Sequence, residues 1–230
     1  MKLAIMQPYF FPYIGYFQLI NSVDKFIFYD DVNFIKNGWI NRNRILLNGK
    51  PHYITLQLKQ ASSFKTIDVT EFSDNRNKLK KTIFQAYKKT PYFDSAWPIV
   101  DKCLSYKTQL ISEVAIYSII ETCKYIDLDT EFEISSKAYG DTKGLEREER
   151  IKEICKLNNA SHYINPIGGV ELYDKNIFSE AGIEMRFIKT GDIVYNQNCP
   201  VFVPWLSVID VLMFNSPKDV NGMLNNFVLL

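Results

Sequence analysis

Residues 3–31 read LAIMQPYFFPYIGYFQLINSVDKFIFYDD, and this stretch decides the predicted fold. Its first apolar run, Leu3–Met6, ends at Gln7-Pro8 and predicts a buried strand. The apolar segment Tyr16–Ile20 predicts a short helix, and Lys25–Tyr29 is rich in residues that favour strands. A strand, a helix and a strand in this order form a βαβ unit, whose right-handed crossover makes the two strands parallel.

Strands and helices continue to alternate beyond this stretch. Short apolar or alternating runs predict further strands at Tyr53–Leu58, Phe132–Ile134, His162–Ile164 and Glu184–Ile188. Helical spacing of apolar residues predicts helices at Asn75–Lys89, Lys107–Tyr125, Gly144–Asn158 and Val170–Ala181, the last closed by Gly182. We expect Pro91 and Pro98 to break up the stretch between the first two helices, and Leu145 and Leu157 to face inward.

This order of elements predicts an α/β fold: a doubly wound, mainly parallel sheet, nucleotidyltransferase-like, with an inserted helical region. We expect a single domain over residues 1–230, with the mainly helical insertion at about residues 75–126.

The composition excludes several classes of protein. The chain has 230 residues, 47% of them hydrophobic and 23% charged, with a formal net charge of +1, as in an ordered globular protein without a basic face for nucleic acid. No apolar window approaches the ~20 residues of a membrane span, and the apolar start is too short for a signal peptide. The 4 cysteines form no CxxC pair and there are only 2 histidines, so we expect reduced thiols, no metal site and a cytoplasmic location.

The first loop, residues 7–16, follows the first strand, where an open parallel sheet presents its ligand crevice. Two prolines stiffen this loop, which lowers the entropy that is lost when it binds a ligand. Gly15 would let a ligand approach the helix start, whose free N–H groups favour phosphate. We therefore predict that the loop contacts the substrate through Gln7, Tyr9, Tyr13, Gly15 and Tyr16. Burial in the core is the alternative for its aromatic rings.

Residues 13–16, Tyr-Ile-Gly-Tyr, lie where nucleotidyltransferases and pantothenate synthetases carry a His-x-Gly-His signature at the start of the corresponding helix. The similarity implies the nucleotidyltransferase-like fold and a nucleotide-sized pocket. Tyrosine replaces both histidines here, and a tyrosine supplies no cation to a phosphate at pH 7. This departure puts adenylate chemistry in doubt.

Asp30 and Asp31 end the second predicted strand. Two carboxylates at the carboxyl end of a strand suit a general base, a ribose contact or magnesium, and a turn or cap is the alternative. The segment that follows combines cations, amides and an indole, which could hold a diphosphate and stack a base. An exposed hairpin turning at Asn37-Gly38 is the alternative. The predicted binding residues of the segment that follows Asp31 are Lys36, Trp39, Asn41, Arg42 and Arg44.

The last third of the chain adds weaker candidates. Asn165, Gly168 and Gly169 lie between a predicted strand and a helix, where glycines form anion-binding turns. Ser135-Ser136 could also meet phosphate, and His162 is either a base or a core histidine. Tyr195 and Gln197 are predicted substrate contacts. Asp210 interrupts the apolar helix face around it and is either buried and paired or exposed at the edge.

Several long motifs resemble the WbqC-like family over nearly the whole chain. These motifs are MQPYFFPYIGYFQLI at 6–20, YDDVNFIKNGWINRNRI at 29–45, YINPIGGVELYD at Tyr163–Asp174, FSEAGI at Phe178–Ile183, Tyr195-Asn196-Gln197 and LSVIDVLMFN at Leu206–Asn215. The family is typically encoded among genes for O-antigen and other polysaccharides that carry modified amino sugars. The resemblance implies an enzyme that transfers an N-acyl or aminoacyl group, for example glycyl, to an amino sugar or its nucleotide derivative.

Three functions remain open at this point. A transferase would need a base for the amine, with Asp30, Asp31 and His162 as candidates, and an activated acyl donor such as an acyl carrier protein or a CoA thioester. Lys36, Arg42 and Arg44 would then hold the diphosphate of the sugar nucleotide. A nucleotidyltransferase or adenylate-forming ligase would use ATP and Mg²⁺. A non-catalytic protein would only bind the nucleotide-sugar.

Overall fold

The computed structural model describes residues 1–60 and 64–230. Its strands are β1 (Lys2–Met6), β2 (Lys25–Phe28), β3 (Arg42–Leu47), β4 (Lys50–Thr55), β5 (Glu131–Ile134), β6 (His162–Pro166), β7 (Glu184–Thr190) and β8 (Phe227–Leu229). Its α-helices are α1 (Ile14–Asn21), α2 (Arg76–Tyr87), α3 (Phe93–Leu104), α4 (Ile111–Tyr125), α5 (Ser135–Ala138), α6 (Arg147–Leu157), α7 (Lys175–Ser179), α8 (Val208–Phe214) and α9 (Pro217–Met223).

The central sheet has the strand order β5-β2-β1-β6-β7-β8. Strands β1, β2, β5, β6 and β7 run parallel, and β8 closes one edge antiparallel to β7. Ala4 pairs with Phe26 in parallel register, so the predicted βαβ unit at the start of the chain is confirmed. The sheet order reverses between β1 and β6, the kind of position at which open α/β sheets bind ligands beyond the carboxyl ends of their strands.

Both faces of the sheet are buried, as an α/β fold requires. Ala4, Phe26 and Phe28 pack on one face together with Phe17 of α1. Leu3, Ile5 and Ile27 pack on the other face together with Ile151 and Ile154 of α6. Each fully buried side chain of this size contributes roughly 1.5–3 kcal/mol of hydrophobic stabilisation, as an upper value. The predicted α/β class with a mostly parallel sheet is confirmed.

The hairpin of the second, two-stranded sheet differs from the prediction. Strands β3 and β4 pair antiparallel and turn at Asn48-Gly49, where φ is +52° and +71°. Asn37-Gly38, the turn considered as the alternative to a binding segment, lies ahead of β3 instead. Asn48-Gly49 suits a two-residue hairpin because both central residues need positive φ. The strand predicted at Tyr53–Leu58 begins earlier, at Lys50, and ends at Thr55.

Pro91 lies in the turn between α2 and α3, as predicted, but the prediction that Pro98 breaks up this stretch was wrong. Helix α3 continues through Pro98. Pro98 lacks the N–H of an ordinary helix position. The helix is retained because its buried face, with Ala96, Ile99, Val100 and Cys103, packs in the main core.

Two further helix predictions were partly wrong. Helix α6 spans Arg147–Leu157, shorter than predicted, and Leu145 and Leu157 are exposed rather than inward. The segment predicted as one helix at Val170–Ala181 divides into a 3-10 turn, Ile167–Leu172, and α7. Gly182 does follow α7 with φ +72°, the left-handed conformation that ends a helix.

In residues 1–60 and 64–230, no helix is long and apolar enough to cross a membrane. The same residues contain no group of three or more His, Cys, Asp or Glu side chains arranged to hold a metal ion.

Candidate functional site

Two adjoining cavities open beside the first loop. The first, of about 340 Å³, lies between the start of α1, the segment 190–195 after β7 and the loop 202–206 before α8; we call it the apolar cavity. The second, of about 280 Å³, is lined by Tyr9, Pro12, Tyr13, Trp39, Asn43, Arg44 and Trp205; we call it the polar cavity. A more open groove of about 610 Å³ runs along α3 and α4, and no predicted site residue lines it.

Tyr13 and Trp205 line both cavities and form the wall between them. Their ring centroids are 5.7 Å apart in an edge-to-face arrangement. Trp205 adopts φ +60° and its surface is 57% exposed. A bulky residue in the left-handed region is strained, and such strain is concentrated at functional sites. The shared wall is therefore a prominent candidate for contact with a ligand.

Only glycine at position 15 leaves space for the Tyr13 side chain. A Cβ at Gly15 would overlap the Tyr13 ring and the Thr190 hydroxyl. The sequence pattern predicts that this glycine lets a ligand approach the helix start. In the structure the Tyr13 ring fills this space, so Gly15 serves the site by positioning Tyr13.

Arg44 brings the positive charge of the polar cavity. Its guanidinium lies 5.7 Å from the ring centre of Trp39, and its Nη2 donates to the Trp205 carbonyl at 3.2 Å. Its buried Nε has no hydrogen-bond partner among the described residues. Asn43, which was not among the predicted binding residues, fixes the first loop by donating to the Phe11 carbonyl at 2.7 Å.

The other predicted cations and amide of the segment after Asp31 line neither cavity. Arg42 donates to the carbonyls of Asn37 and Gly38 at 2.5 and 3.1 Å, and so holds the loop before β3. Asn41 is buried and donates to the Leu56 carbonyl at 2.9 Å, while Lys36 is exposed. Of the five predicted contacts here, the structure brings Trp39 and Arg44 to the site.

Of the residues predicted to contact substrate in the first loop, some line a cavity and others are part of the core. Tyr9 and Tyr13 line cavities, whereas Tyr16 is buried and donates to the Gln7 carbonyl at 2.9 Å. Tyr16 therefore belongs to the core, the alternative considered for the aromatic rings, and Gln7 lines neither cavity. Burial raises the pKa of Tyr9 to about 12 and also raises that of Tyr13. Both hydroxyls are neutral at pH 7 and can donate or accept a hydrogen bond.

Asp30 and Asp31 are buried and bound within the chain rather than open to a cavity. Asp30 accepts from the Ser136 N–H at 3.0 Å and the Ser136 hydroxyl at 2.9 Å. Asp31 accepts from the Ser135 hydroxyl at 2.5 Å and from Arg150 Nη2 at 2.6 Å. The two serines, predicted to meet phosphate, thus bind these carboxylates and join the ends of β2 and β5.

The environments of the two carboxylates shift their pKa values in opposite directions. Burial raises the pKa of Asp30, and the hydrogen bonds from Ser136 and Ser135 only partly offset it. Burial also acts to raise the pKa of Asp31, but the hydrogen bonds from Arg150 and Ser135 outweigh it, so this pKa is lowered. Asp31 is therefore a charged partner for Arg150 in the folded protein.

His162 lies at the opposite end of the sheet from the cavities. It begins β6, pairs with Lys2 in the sheet and has its Nε2 3.2 Å from a carboxylate oxygen of Glu184. Asn165 and Gly169 lie at and beyond the other end of this strand. The Asn165 side chain occupies the space that a Cβ at Gly169 would need and donates to the Tyr163 hydroxyl at 2.8 Å. The structure does not bring His162, Asn165, Gly168 or Gly169 to the walls of either cavity.

Comparison with known proteins agrees with the long motifs of the chain. The sequence profile of the WbqC-like protein family matches residues 7–222, from the first loop to α9. The chain belongs to the WbqC-like protein family. It is 28% identical over 222 residues, 93% of each chain, to the "Uncharacterized protein Rv1507c" of Mycobacterium tuberculosis (strain ATCC 25618 / H37Rv). No solved structure matches the chain.

The WbqC-like segment 195–210 forms a buried hydrogen-bond cluster behind the apolar cavity. Asp210 accepts from the Tyr87 hydroxyl at 2.7 Å, the Tyr195 hydroxyl at 2.6 Å and the Gln197 amide at 2.9 Å. Gln197 also accepts from the Val203 N–H at 2.8 Å, which fixes the loop before Trp205. Tyr195 lines the apolar cavity as predicted for a contact residue, whereas Gln197 and Asp210 position the wall.

Asp192 is a candidate site residue that no sequence motif singled out. Among the residues that the structure describes, it is the only carboxylate that lines either cavity. Asn226 fixes its backbone, because the Asn226 amide donates to the Asp192 carbonyl at 2.9 Å and the Gly191 N–H donates to the Asn226 carbonyl at 2.9 Å. Its side chain is exposed and keeps access to solvent and to a bound molecule.

Proposed function

We propose that this WbqC-like protein transfers an N-acyl or aminoacyl group to the amine of an amino sugar on a nucleotide, for surface-polysaccharide synthesis. The observation that carries the proposal is the pair of cavities with one shared wall, Tyr13 and Trp205, because a transfer reaction needs two substrates side by side. The polar cavity offers aromatic faces for a sugar or base and Arg44 for phosphate.

The chemistry proposed at the shared wall requires a proton acceptor for the amine. The ammonium gives a proton to the Asp192 carboxylate, and the free amine attacks the carbonyl carbon of an acyl thioester. A C–N bond forms, the C–S bond breaks, and the thiolate leaves with the second proton of the amine. Asp192 takes the role first predicted for Asp30, Asp31 or His162, because the structure brings none of these three to a cavity wall.

Replacing Asp192 by asparagine is expected to lower the rate of amide formation by about a hundredfold or more, the usual contribution of a general base. The measurement is the formation of N-acyl product from a uridine diphosphate amino sugar and an acyl thioester, followed by mass spectrometry. Asp129→Asn is the matched control, since Asp129 is an exposed aspartate that lines neither cavity.

Equal rates for Asp192→Asn and the natural protein would remove Asp192 from the mechanism. Tight binding of the sugar nucleotide without any amide product would contradict the transferase and favour the non-catalytic binding protein.

Arg44 and Lys36 give a second pair of variants. Arg44→Met is expected to weaken binding of uridine diphosphate by about 10- to 100-fold, because a hydrogen bond to a charged group contributes about 1.5–3 kcal/mol. Lys36→Met is expected to leave binding within about twofold, since Lys36 is exposed and lines neither cavity. Isothermal titration calorimetry at two salt concentrations checks both. Equal losses in the two variants would place the diphosphate outside the polar cavity.

An ATP-dependent ligase is the second candidate, and the start of α1 favours it. This helix has no side-chain cap, and its first residue, Ile14, lines the apolar cavity. Free N–H groups at a helix start attract phosphate. Release of pyrophosphate from ATP and Mg²⁺ by the purified protein would support the ligase, and absence of ATP binding would exclude it.

A further inference from the structure

The two cavities differ in the charge of their walls, with the Asp192 carboxylate in the first and the Arg44 guanidinium in the second. The apolar cavity is walled mainly by hydrocarbon side chains, among them Ile14, Ile193, Val194, Phe202, Leu206 and Val211. The polar cavity has Asn43 and Arg44 in its wall, beside the Tyr9 hydroxyl. Since the two share Tyr13 and Trp205, one bound molecule could present a hydrocarbon group to another that carries phosphate.

Apolar side chains at the mouth of the apolar cavity face water. Val194 and Trp205 line this cavity and are 71% and 57% exposed. Apolar surface next to a concave apolar site gains free energy when a hydrocarbon ligand covers it. The exposed valine and tryptophan therefore extend the apolar surface that an entering chain would meet.

We infer that the apolar cavity takes the hydrocarbon chain of the acyl donor, so that the transferred group is an acyl chain of several carbons rather than glycyl. This inference rests on the proposed transferase function. The volume of about 340 Å³ is many times the ~10–15 Å³ that one water-sized group needs on this measure, so the cavity has room for a chain of several carbons. The ammonium of a glycyl group would be desolvated against isoleucine, valine and phenylalanine there.

Asp192 does not change this assignment. It is the one charged side chain in the wall of the apolar cavity among the described residues, and it is exposed to solvent. In the proposed mechanism this carboxylate takes the proton of the sugar amine, so it is not available to pair with the ammonium of an aminoacyl group. The remaining wall offers no second charge to an aminoacyl group.

The test measures the binding of acyl-pantetheine thioesters, because pantetheine is shared by CoA and acyl carrier proteins. Affinity is expected to rise about fourfold for each added methylene, about 0.8 kcal/mol, from acetyl through butanoyl, and to level off near octanoyl as the cavity fills. Glycyl-pantetheine is expected to bind no more tightly than acetyl-pantetheine.

Two valines of the same region give matched variants. Val194→Trp places a large ring at the mouth of the apolar cavity and is expected to weaken butanoyl-pantetheine binding at least tenfold. Val201→Trp is the control, because Val201 is 75% exposed and lines neither cavity. Both valines are exposed, so neither change disturbs the core.

Equal affinity for acetyl- and octanoyl-pantetheine would overturn the inference, as would equal losses in the two valine variants. Tighter binding of glycyl-pantetheine that is lost in Asp192→Asn would overturn it in favour of an aminoacyl donor. In each case the proposed transferase is judged separately, by whether the natural protein forms any amide on the amino sugar.

Discussion

Replacing Asp31 by asparagine is expected to destabilise the protein by about 3–5 kcal/mol, the usual effect of removing one partner of a buried ion pair. Asp31 and Arg150 have side chains that are 0% and 6% exposed, with Nη2 and Oδ2 2.6 Å apart. The neutral amide would leave the guanidinium charged and desolvated. The shift of the urea unfolding midpoint measures the effect.

Two variants test the cause of this loss. Glu149→Gln is the matched control, because Glu149 pairs with Lys152 in an ion pair on α6 and is itself 53% exposed; its loss is expected to stay below about 1 kcal/mol. The double variant Asp31→Leu with Arg150→Met is expected to recover much of the stability, since it removes both buried charges. A double variant as unstable as Asp31→Asn would contradict the explanation.

The sequence predicts the first βαβ unit because that signal is local. Leu3–Met6 and Lys25–Tyr29 are continuous runs of strand formers with turn residues between them, and both strands form within two residues of the predicted bounds. Strand β3, in contrast, contains Arg42, Asn43 and Arg44, which suggest a binding segment rather than a strand. It is held by its pairing with β4 and by burial of Ile45 and Leu46, which depend on tertiary contacts.

Strand direction predicts the rim of the sheet on which the site lies but not which loops of that rim form it, because Asp30 and Asn165 also lie at carboxyl ends of strands and line neither cavity. Residues that follow β1 line the cavities, and His162 could have been excluded because it begins a strand and so lies at the opposite rim. The same rule indicates Asp192, which follows the last predicted strand. The role of Asp31 could not be predicted, because its partners Ser135 and Arg150 lie 104 and 119 residues away in the sequence.

Replacing Asp210 by alanine is expected to destabilise the protein by about 3 kcal/mol or more. Asp210 is fully buried, and its loss removes the acceptor of the Tyr87 and Tyr195 hydroxyls and of one Gln197 N–H, while the Gln197 amide keeps its bond to the Val203 carbonyl. Each buried unsatisfied donor costs about 1–3 kcal/mol. Tyr195→Phe is the control, because it removes one donor and leaves the others bound, for a loss of about 1–2 kcal/mol.

The pH dependence separates Asp210 from Asp31. Burial raises the pKa of Asp210 more than its three hydrogen bonds lower it, so its contribution to stability decreases as the pH rises from the unfolded value of ~3.9 through the folded value. The lowered pKa of Asp31 acts in the opposite sense: its contribution is present above ~3.9 and is lost as the pH falls through the folded value. The loss of unfolding free energy relative to the natural protein should therefore increase with rising pH for Asp31→Asn. For Asp210→Ala this loss should decrease with rising pH. If both differences change in the same direction, the hydrogen bonds assigned to one of the two carboxylates are wrong.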